Sequence, residues 1–237
     1  MRSGKTTGTG GGVSDILPIA TFSIVATDRA TGDIGVATAS RYVAVGSLVP
    51  HVRAGVAAVA TQSVAHPALA DALIDSLDAG HDAPGAVLDR LLAGDASRDI
   101  RQFALVTADG RTAAFTGAQC VPFAGERAGP GVVCAGNTLA GPEVLEAMLE
   151  GFAGTDGQLW DRLLAALDRG DAAGGDARGK QAAAMRVHRT GGGYRGSGEV
   201  VVDLRVDDHA EPVAELARLL AVLKETRKQE PDDGLES

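Results

Sequence analysis

Short runs of β-branched and small apolar residues recur along this chain in pairs, each joined by turn material that turns the chain back on itself. The first pair is Thr21 to Ala26 and Ile34 to Thr38, with Asp28 to Asp33 and Gly32 between them. The second is Phe103 to Thr107 and Thr112 to Phe115 around Ala108-Asp109-Gly110-Arg111, whose Asp-Gly step favours a tight turn. The third is Ala182 to His188 and Val200 to Val206, and a further extended stretch runs from Val56 to Thr61. Hairpins commit a chain to antiparallel sheets, because parallel neighbours need a crossover of about a dozen residues or more.

Between the hairpins lie helical patterns, each with one apolar stripe. Pro67 opens Leu69, Leu73, Ile74 and Leu77, and Pro84 opens Val87, Leu88, Leu91 and Leu92. Pro142 opens Val144, Leu145, Met148, Leu149 and Phe152, and Asp156 opens Leu159, Trp160, Leu163, Leu164 and Leu167. A last helix from Pro212 carries Val213, Leu216, Leu219, Leu220 and Leu223. Stripes of this kind must be buried against sheets, so the expected fold is α+β, a four-layer α-β-β-α sandwich with mostly antiparallel sheets. Aromatic residues make up only 3% of 237 residues, so Ala, Val, Leu and Ile must fill the core by close packing, which favours regular layers. The expected organisation is a flexible Gly/Ser/Thr-rich arm over residues 1–20, one domain over 21–227 without internal repeats, and a polar tail over 228–237.

Lys and Arg number 22 against 31 Asp and Glu, a net charge of −9, which argues against a basic groove for nucleic acid or an anionic membrane surface. No run approaches the roughly 18 apolar residues of a membrane helix, and the first 20 residues hold only Ile16 to Ala20, broken by Pro18, where a secretory leader needs a longer apolar core. Cys120 and Cys134 are too few for a disulfide framework and lack metal-ligand spacing. A cytoplasmic protein is expected.

Several short motifs occur together in order. They are Thr21-Phe22-Ser23-Ile24-Val25-Ala26, Ala39-Ser40-Arg41-Tyr42-Val43-Ala44-Val45-Gly46, Val49-Pro50 and Gly55 to Gln62. Further on come Arg101-Gln102, Thr116-Gly117 with Cys120, Gly136-Asn137 with Leu139 and Gly141, Ala173 to Gln181, and Asp203 to His209. As a set, over about residues 21 to 220, they resemble the bacterial family called domain of unknown function 1028. That family is grouped with the N-terminal-nucleophile (Ntn) hydrolases, so the resemblance implies a proteasome-like α-β-β-α fold and a type of active site, without a substrate. Family members usually begin Met-Thr-Phe-Ser or similar, and loss of Met leaves a threonine first. The resemblance therefore implies Thr21 as nucleophile, its hydroxyl attacking a carbonyl while its own α-amine, of pKa about 7.7–8, takes the proton. Here Thr21 follows 20 residues. Three alternatives stand: a true start downstream of Met1, a propeptide cut between Ala20 and Thr21, or a Thr21 that is simply an edge residue of the first strand.

Other candidates surround this one. Arg53 follows the second strand, roughly where proteasome-like relatives hold a lysine; its guanidinium can hold a carboxylate or oxyanion but cannot act as base, and the alternative is a surface ion pair. Ser40 and Arg41 end the second strand near the start of the first, to orient the amine and bind substrate, or to serve as a turn hydroxyl and a solvated charge. Gln62 and Asn137 offer amide donors to an oxyanion. The loop Gly174 to Gly179 can nest an anion with Arg178, or Asp176 and Arg178 can bridge neighbouring segments. Asp203, Arg205, Asp207, Asp208 and His209 gather oxygen and imidazole ligands without the spacing that fixes a metal geometry, and a charge network is the alternative. Gly191 to Gly196 satisfies G-x-G-x-x-G, but a strand follows where a dinucleotide site needs a helix. Cys120 and Cys134, with His51, His66, His81, His188 or His209 as base, are alternative nucleophiles or buried apolar residues.

The leading expectation is hydrolysis of an amide or related C–N bond in a small molecule, without a cofactor. Thr21, Ser40 and Arg53 would be catalytic, and Arg41, Gln62, Asn137, Asp176 and Arg178 would bind substrate or oxyanion. The alternatives are a non-catalytic assembly or binding protein on the same fold, and a metal-dependent hydrolase using Asp207, Asp208 and His209. Self-association is expected from the Ala-rich helical faces.

Overall fold

In the first hairpin, β1 (Thr21–Asp28) and β2 (Asp33–Ser40) pair in a register that sets Thr21 opposite Ser40 and Asp28 opposite Asp33. This is a computed structural model that describes residues 19–80 and 82–228. Residues 1–18 of the arm expected over 1–20, His81, and residues 229–237 of the tail expected over 228–237 lie outside the described residues, while Lys228 closes the last helix. On its other side β1 pairs with β8 (Val132–Asn137), which places Asn137 opposite Thr21. A six-stranded sheet results, completed by β7 (Gly125–Gly129) beside β8, β9 (Ala182–His188) beside β2 and β10 (Val200–Val206) beside β9. A four-stranded sheet is built from β3 (Pro50–Arg53), β4 (Ala57–Ser63), β5 (Arg101–Thr107) and β6 (Thr112–Thr116) in that order. Every pairing in both sheets is antiparallel.

The helices are α1 (Pro67–Ala79), α2 (Pro84–Leu92), α3 (Glu143–Ala153), α4 (Leu159–Ala172) and α5 (Pro212–Lys228). Successive side chains of a strand point to opposite faces, and the core divides accordingly. Phe22, Ile24 and Ala26 of β1 pack with Leu145, Met148, Leu163, Leu167 and Leu216 of α3, α4 and α5. Val25 of the same strand joins Val36, Ala58, Ala60, Ala104, Val106, Val133 and Ala135 between the sheets. On the far side, Val59, Phe103 and Leu105 pack with Leu73, Ile74, Val87 and Leu88 of α1 and α2. The layers thus run helices, six-stranded sheet, four-stranded sheet, helices.

The chain is a mixed α+β fold with two antiparallel sheets and five helices among the described residues. Three strands lie where the pattern predicts none. β3 is four residues long and starts on a proline, as suits an edge strand; β7 carries two glycines and two charges; β8 is a short small-residue run buried on both faces, so it shows no alternation. Arg53, expected after the second strand, lies in β3. Ile19 and Ala20, expected within the arm, belong to the fold, because Ile19 pairs with Ser63 at the end of β4. No helix among the described residues is long and apolar enough to cross a membrane.

Close packing against β2 depends on one missing side chain. A Cβ on Gly35 would lie 2.7 Å from the Arg186 carbonyl oxygen and 2.8 Å from Val187 Cγ2, and α4 closes the space above with Leu163 at 3.2 Å. Gly35→Ala is expected to lower stability by about 1–3 kcal/mol through overpacking, read as a fall in the denaturant midpoint without a change in slope.

Candidate active site

The layer between the sheets is apolar along most of its length and turns polar at one end. Following the inward positions, Val25 gives way to Ser23 and Thr21 on β1, and Val36 to Thr38 and Ser40 on β2. Ala58 and Ala60 give way to Gln62 on β4, Val106 and Ala104 to Gln102 on β5, and Val133 and Ala135 to Asn137 on β8. None of these polar residues is more than 1% exposed. Five strands therefore change character at the same end, and buried polar groups placed together must satisfy one another.

They do so through Gln102. Its carbonyl accepts from Gln62 Nε2 at 2.9 Å and from Asn137 Nδ2 at 3.1 Å. Its own amide donates to the Gly136 carbonyl at 2.8 Å and to Thr116 Oγ1 at 3.0 Å, with the Gly125 carbonyl at 3.2 Å. Thr116 in turn donates to the Glu126 carboxylate. The Ser23 hydroxyl lies 2.5 Å from the Gln62 carbonyl and 2.9 Å from Thr38 Oγ1. Gln62 and Asn137, expected as oxyanion donors, thus direct amide hydrogens to Gln102.

Thr21 stands at the end of this network and is wholly buried. Its hydroxyl donates to the Ile19 carbonyl at 3.0 Å. Ile19 exchanges two backbone hydrogen bonds with Ser63, its N–H donating at 2.5 Å and its carbonyl accepting at 3.2 Å. The carbonyl of Ala20, which belongs to the peptide bond preceding Thr21, accepts from the Ser40 hydroxyl at 2.5 Å and from Arg178 Nη2 at 3.5 Å. Arg178 is aimed by Asp176 in a two-point contact, Nε to Oδ1 at 3.2 Å and Nη2 to Oδ2 at 2.9 Å. The Asp176 side chain is 1% exposed, and its charge is offset further by the backbone N–H groups of Arg178 at 2.9 Å and Arg41 at 3.1 Å. Arg41 completes the lattice by donating to the Arg178 carbonyl at 2.6 Å. The loop from Gly174 to Gly179 therefore bridges neighbouring segments through Asp176 and Arg178.

Two strained residues lie at the same place. Ser63 and Thr138 adopt left-handed conformations at φ 64° and 55°; Ala44, ahead of the Val45–Ser47 turn, and Arg195, between β9 and β10, do so as well, at 54° and 52°. Ser63 ends the strand that carries Gln62, Thr138 follows Asn137, and a β-branched residue there is costly, of order 1–3 kcal/mol. Such strain persists where surrounding contacts impose it, as they do around functional sites.

The remaining candidates lie elsewhere. Arg53 pairs with Asp75 at 2.7 Å and Asp78 at 3.4 Å on α1. It sits opposite Ala57, at the start of β4, whereas Ile19 meets Ser63 at the end of that strand, so the hairpin carries Arg53 away from Thr21. Asp207 accepts from Arg205, Asp208 from Gln181, and His209 Nδ1 from the Glu211 backbone. Among the described residues no three His, Cys, Asp or Glu side chains are grouped to hold a metal. Burial pushes the thiols of Cys134 and Cys120 up, which keeps them protonated. His51 pairs with Asp71, His66 Nδ1 caps α1 by accepting from Leu69 N–H, and His188 is partly buried beside Arg186 and Glu199. Gly191 to Gly196 lies in the connection between β9 and β10. Gln102, the hub of this network, is among the residues to which the sequence pattern assigns no role. Its signal is a polar residue in phase with Ala104 and Val106.

The architecture defines a protein whose first strand begins inside a closed polar site between two antiparallel sheets. The model of the family of unknown function DUF1028 matches residues 21–216, so the match starts at Thr21, and the chain belongs to that family. The crystal structure of protein SPO2555 from Silicibacter pomeroyi, described as a DUF1028 protein, is similar at 30% sequence identity and a TM-score of 0.78, over 86% of each chain. No curated protein matches the chain.

Two outcomes test this geometry. Gln102→Leu leaves the amides of Gln62 and Asn137 and the Gly136 carbonyl without their partner, and is expected to cost about 2–4 kcal/mol in guanidinium unfolding; a loss within error would mean the network holds nothing. Burial, aided by Arg186, pushes the pKa of His188 down in the fold. Its neutral form therefore stabilises the fold fully above the unfolded value of about 6.5, and that stability declines as pH falls toward the folded value. His188→Leu should flatten the decline of unfolding free energy between about pH 7 and 5.

Proposed function

We propose that the chain is an Ntn-type hydrolase of an amide or related C–N bond in a small molecule, with Thr21 as nucleophile once its amine is freed from Ala20. The observation that carries this reading is the grip of Ser40 and Arg178 on the Ala20 carbonyl, at the bond preceding Thr21. A hydroxyl and a guanidinium meeting on a carbonyl oxygen are the donors that a tetrahedral oxyanion requires. The order of layers and the position of Thr21 at the start of a central strand agree with the proteasome-like arrangement.

Each step has an assigned group. Thr21 Oγ1, released from the Ile19 carbonyl when the preceding segment is gone, gives its proton to the Thr21 α-amine and bonds to the substrate carbonyl carbon. The negative oxygen rests on Ser40 and Arg178, the C–N bond breaks, and the amine leaves with the proton. Water then adds to the acyl ester, yields the acid and restores the hydroxyl. Asp176 and Arg41 act as positioning residues for Arg178. In the intact chain the Thr21 nitrogen is in a peptide bond and its side chain is wholly buried, and this favours a second reading, a non-catalytic binding or assembly protein.

Intact mass and N-terminal sequencing of protein expressed from Met1, and of a chain beginning Met-Thr21, decide between the two. A species starting at Thr21 should hydrolyse members of a panel of amide, ureido and acylated amino acids, with kcat/KM rising through the amine pKa of about 7.7–8. Thr21→Ala should remove at least about 10³-fold of kcat, and Ser40→Ala about 10²-fold. A stable chain that retains residues 1–20 and gains nothing from their removal would support the non-catalytic reading.

A further inference from the structure

We infer that Ile19 and Ala20 fill the acyl-side subsites of the Thr21 site, and that its substrates are peptide-like amides with a small residue at the scissile carbonyl and a branched aliphatic residue before it. This rests on the hydrolase reading above and adds the substrate class to it. A carbonyl attacked by Thr21 must present its oxygen to Ser40 and Arg178, the groups that hold the Ala20 oxygen now. Whatever stands behind that carbonyl falls where the Ala20 side chain lies. That methyl group is completely enclosed, so glycine or alanine fits and a larger side chain must displace its surroundings.

One residue further back the site reads backbone. Ile19 and Ser63 exchange both of their backbone hydrogen bonds, an exchange open to an extended peptide and closed to a plain acyl chain, which has no N–H to donate. The left-handed Ser63 at the end of β4 supplies this partner. Ile19 is 7% exposed and belongs to the apolar layer that includes Val45, Val49, Ala58 and Ala60. A charged side chain there would lose its hydration without gaining a partner. The segment thus has the features of a ligand: a small residue in a closed space, a main-chain pairing and an apolar anchor.

The test uses the chain beginning at Thr21, its fold checked by circular dichroism and a cooperative thermal transition, with N-acetyl-Ile-Ala as probe in calorimetry. N-acetyl-Ile-Ala should bind at least about tenfold more tightly than N-acetyl-Ile-Phe or N-acetyl-Asp-Ala, and the Ile-Ala anilide should be hydrolysed with the same preference. Binding preference without hydrolysis would leave the subsites standing and remove the hydrolase reading. Hydrolysis of other amides with no preference for Ile-Ala, or binding of none of the three acids, would overturn the subsites. A second measurement needs only the full chain. Ala20→Phe and Ile19→Asp should speed amide hydrogen exchange at Ser63 by about tenfold or more, while Ile19→Val and Ala20→Gly retain protection; protection unchanged in Ala20→Phe would overturn the small-residue subsite.

Discussion

Gln102, a glutamine without exposed surface, joins the two sheets at the end where their facing residues turn polar. Its carbonyl takes one donor from its own sheet, Gln62, and one from the other, Asn137, while its amide returns a hydrogen bond to the Gly136 backbone of that second sheet. In a low-dielectric layer such a bond is strong when made and expensive when missing. The sheets can therefore approach here in one relative position, the one that satisfies all three amides. In-sheet pairing of β1 with β8 sets Asn137 beside Thr21, and the position of the second sheet brings the end of β4 beside Ile19, so the geometry around the first residue of β1 depends on a hydrogen bond between layers as well as on the register of β1.

The strained residues fit the same account. Ser63 and Thr138 leave the extended region immediately after Gln62 and Asn137, the two residues that Gln102 holds. A strand free to relax would continue in β geometry or fray, and the left-handed turns persist because the side chains before them are anchored. Each turn then has a use: Ser63 presents its backbone to Ile19, and the Thr138 carbonyl accepts from Ala177, next to the Asp176–Arg178 pair.

Elements with a clear period are legible in the sequence. The first hairpin gave its own register, and that register alone predicts Ser40 beside Thr21, as found. The bridging alternative for Asp176 and Arg178 was likewise readable, because a carboxylate and a guanidinium two residues apart in a glycine-rich loop can meet. What was illegible has physical causes. β8 is buried on both faces and lacks alternation, so the strand that delivers Asn137 left no period. Arg53 looks catalytic by position in the chain, but the β3–β4 turn reverses direction and sends it toward α1, a matter of topology that spacing does not contain. Gln102 sits in phase with core alanines, where a single polar residue reads as noise until four other strands show the same change at the same end.

Covalent attachment changes how the docked segment should be weighed. Ile19 and Ala20 are held by a few hydrogen bonds and one buried aliphatic side chain, and because they are tethered to β1 they lose almost no translational or rotational freedom on docking. A free molecule making the same contacts gives up that freedom, so tight occupation in the intact chain and weak binding of a detached dipeptide are consistent with one set of contacts. The discrimination between side chains survives detachment, because the association entropy is common to all the competitors and cancels in their ratio. Selectivity, more than affinity, is therefore the property that carries over from the tethered segment to a substrate, and it is written in the enclosed methyl group of Ala20 and the main-chain partner that Ser63 offers.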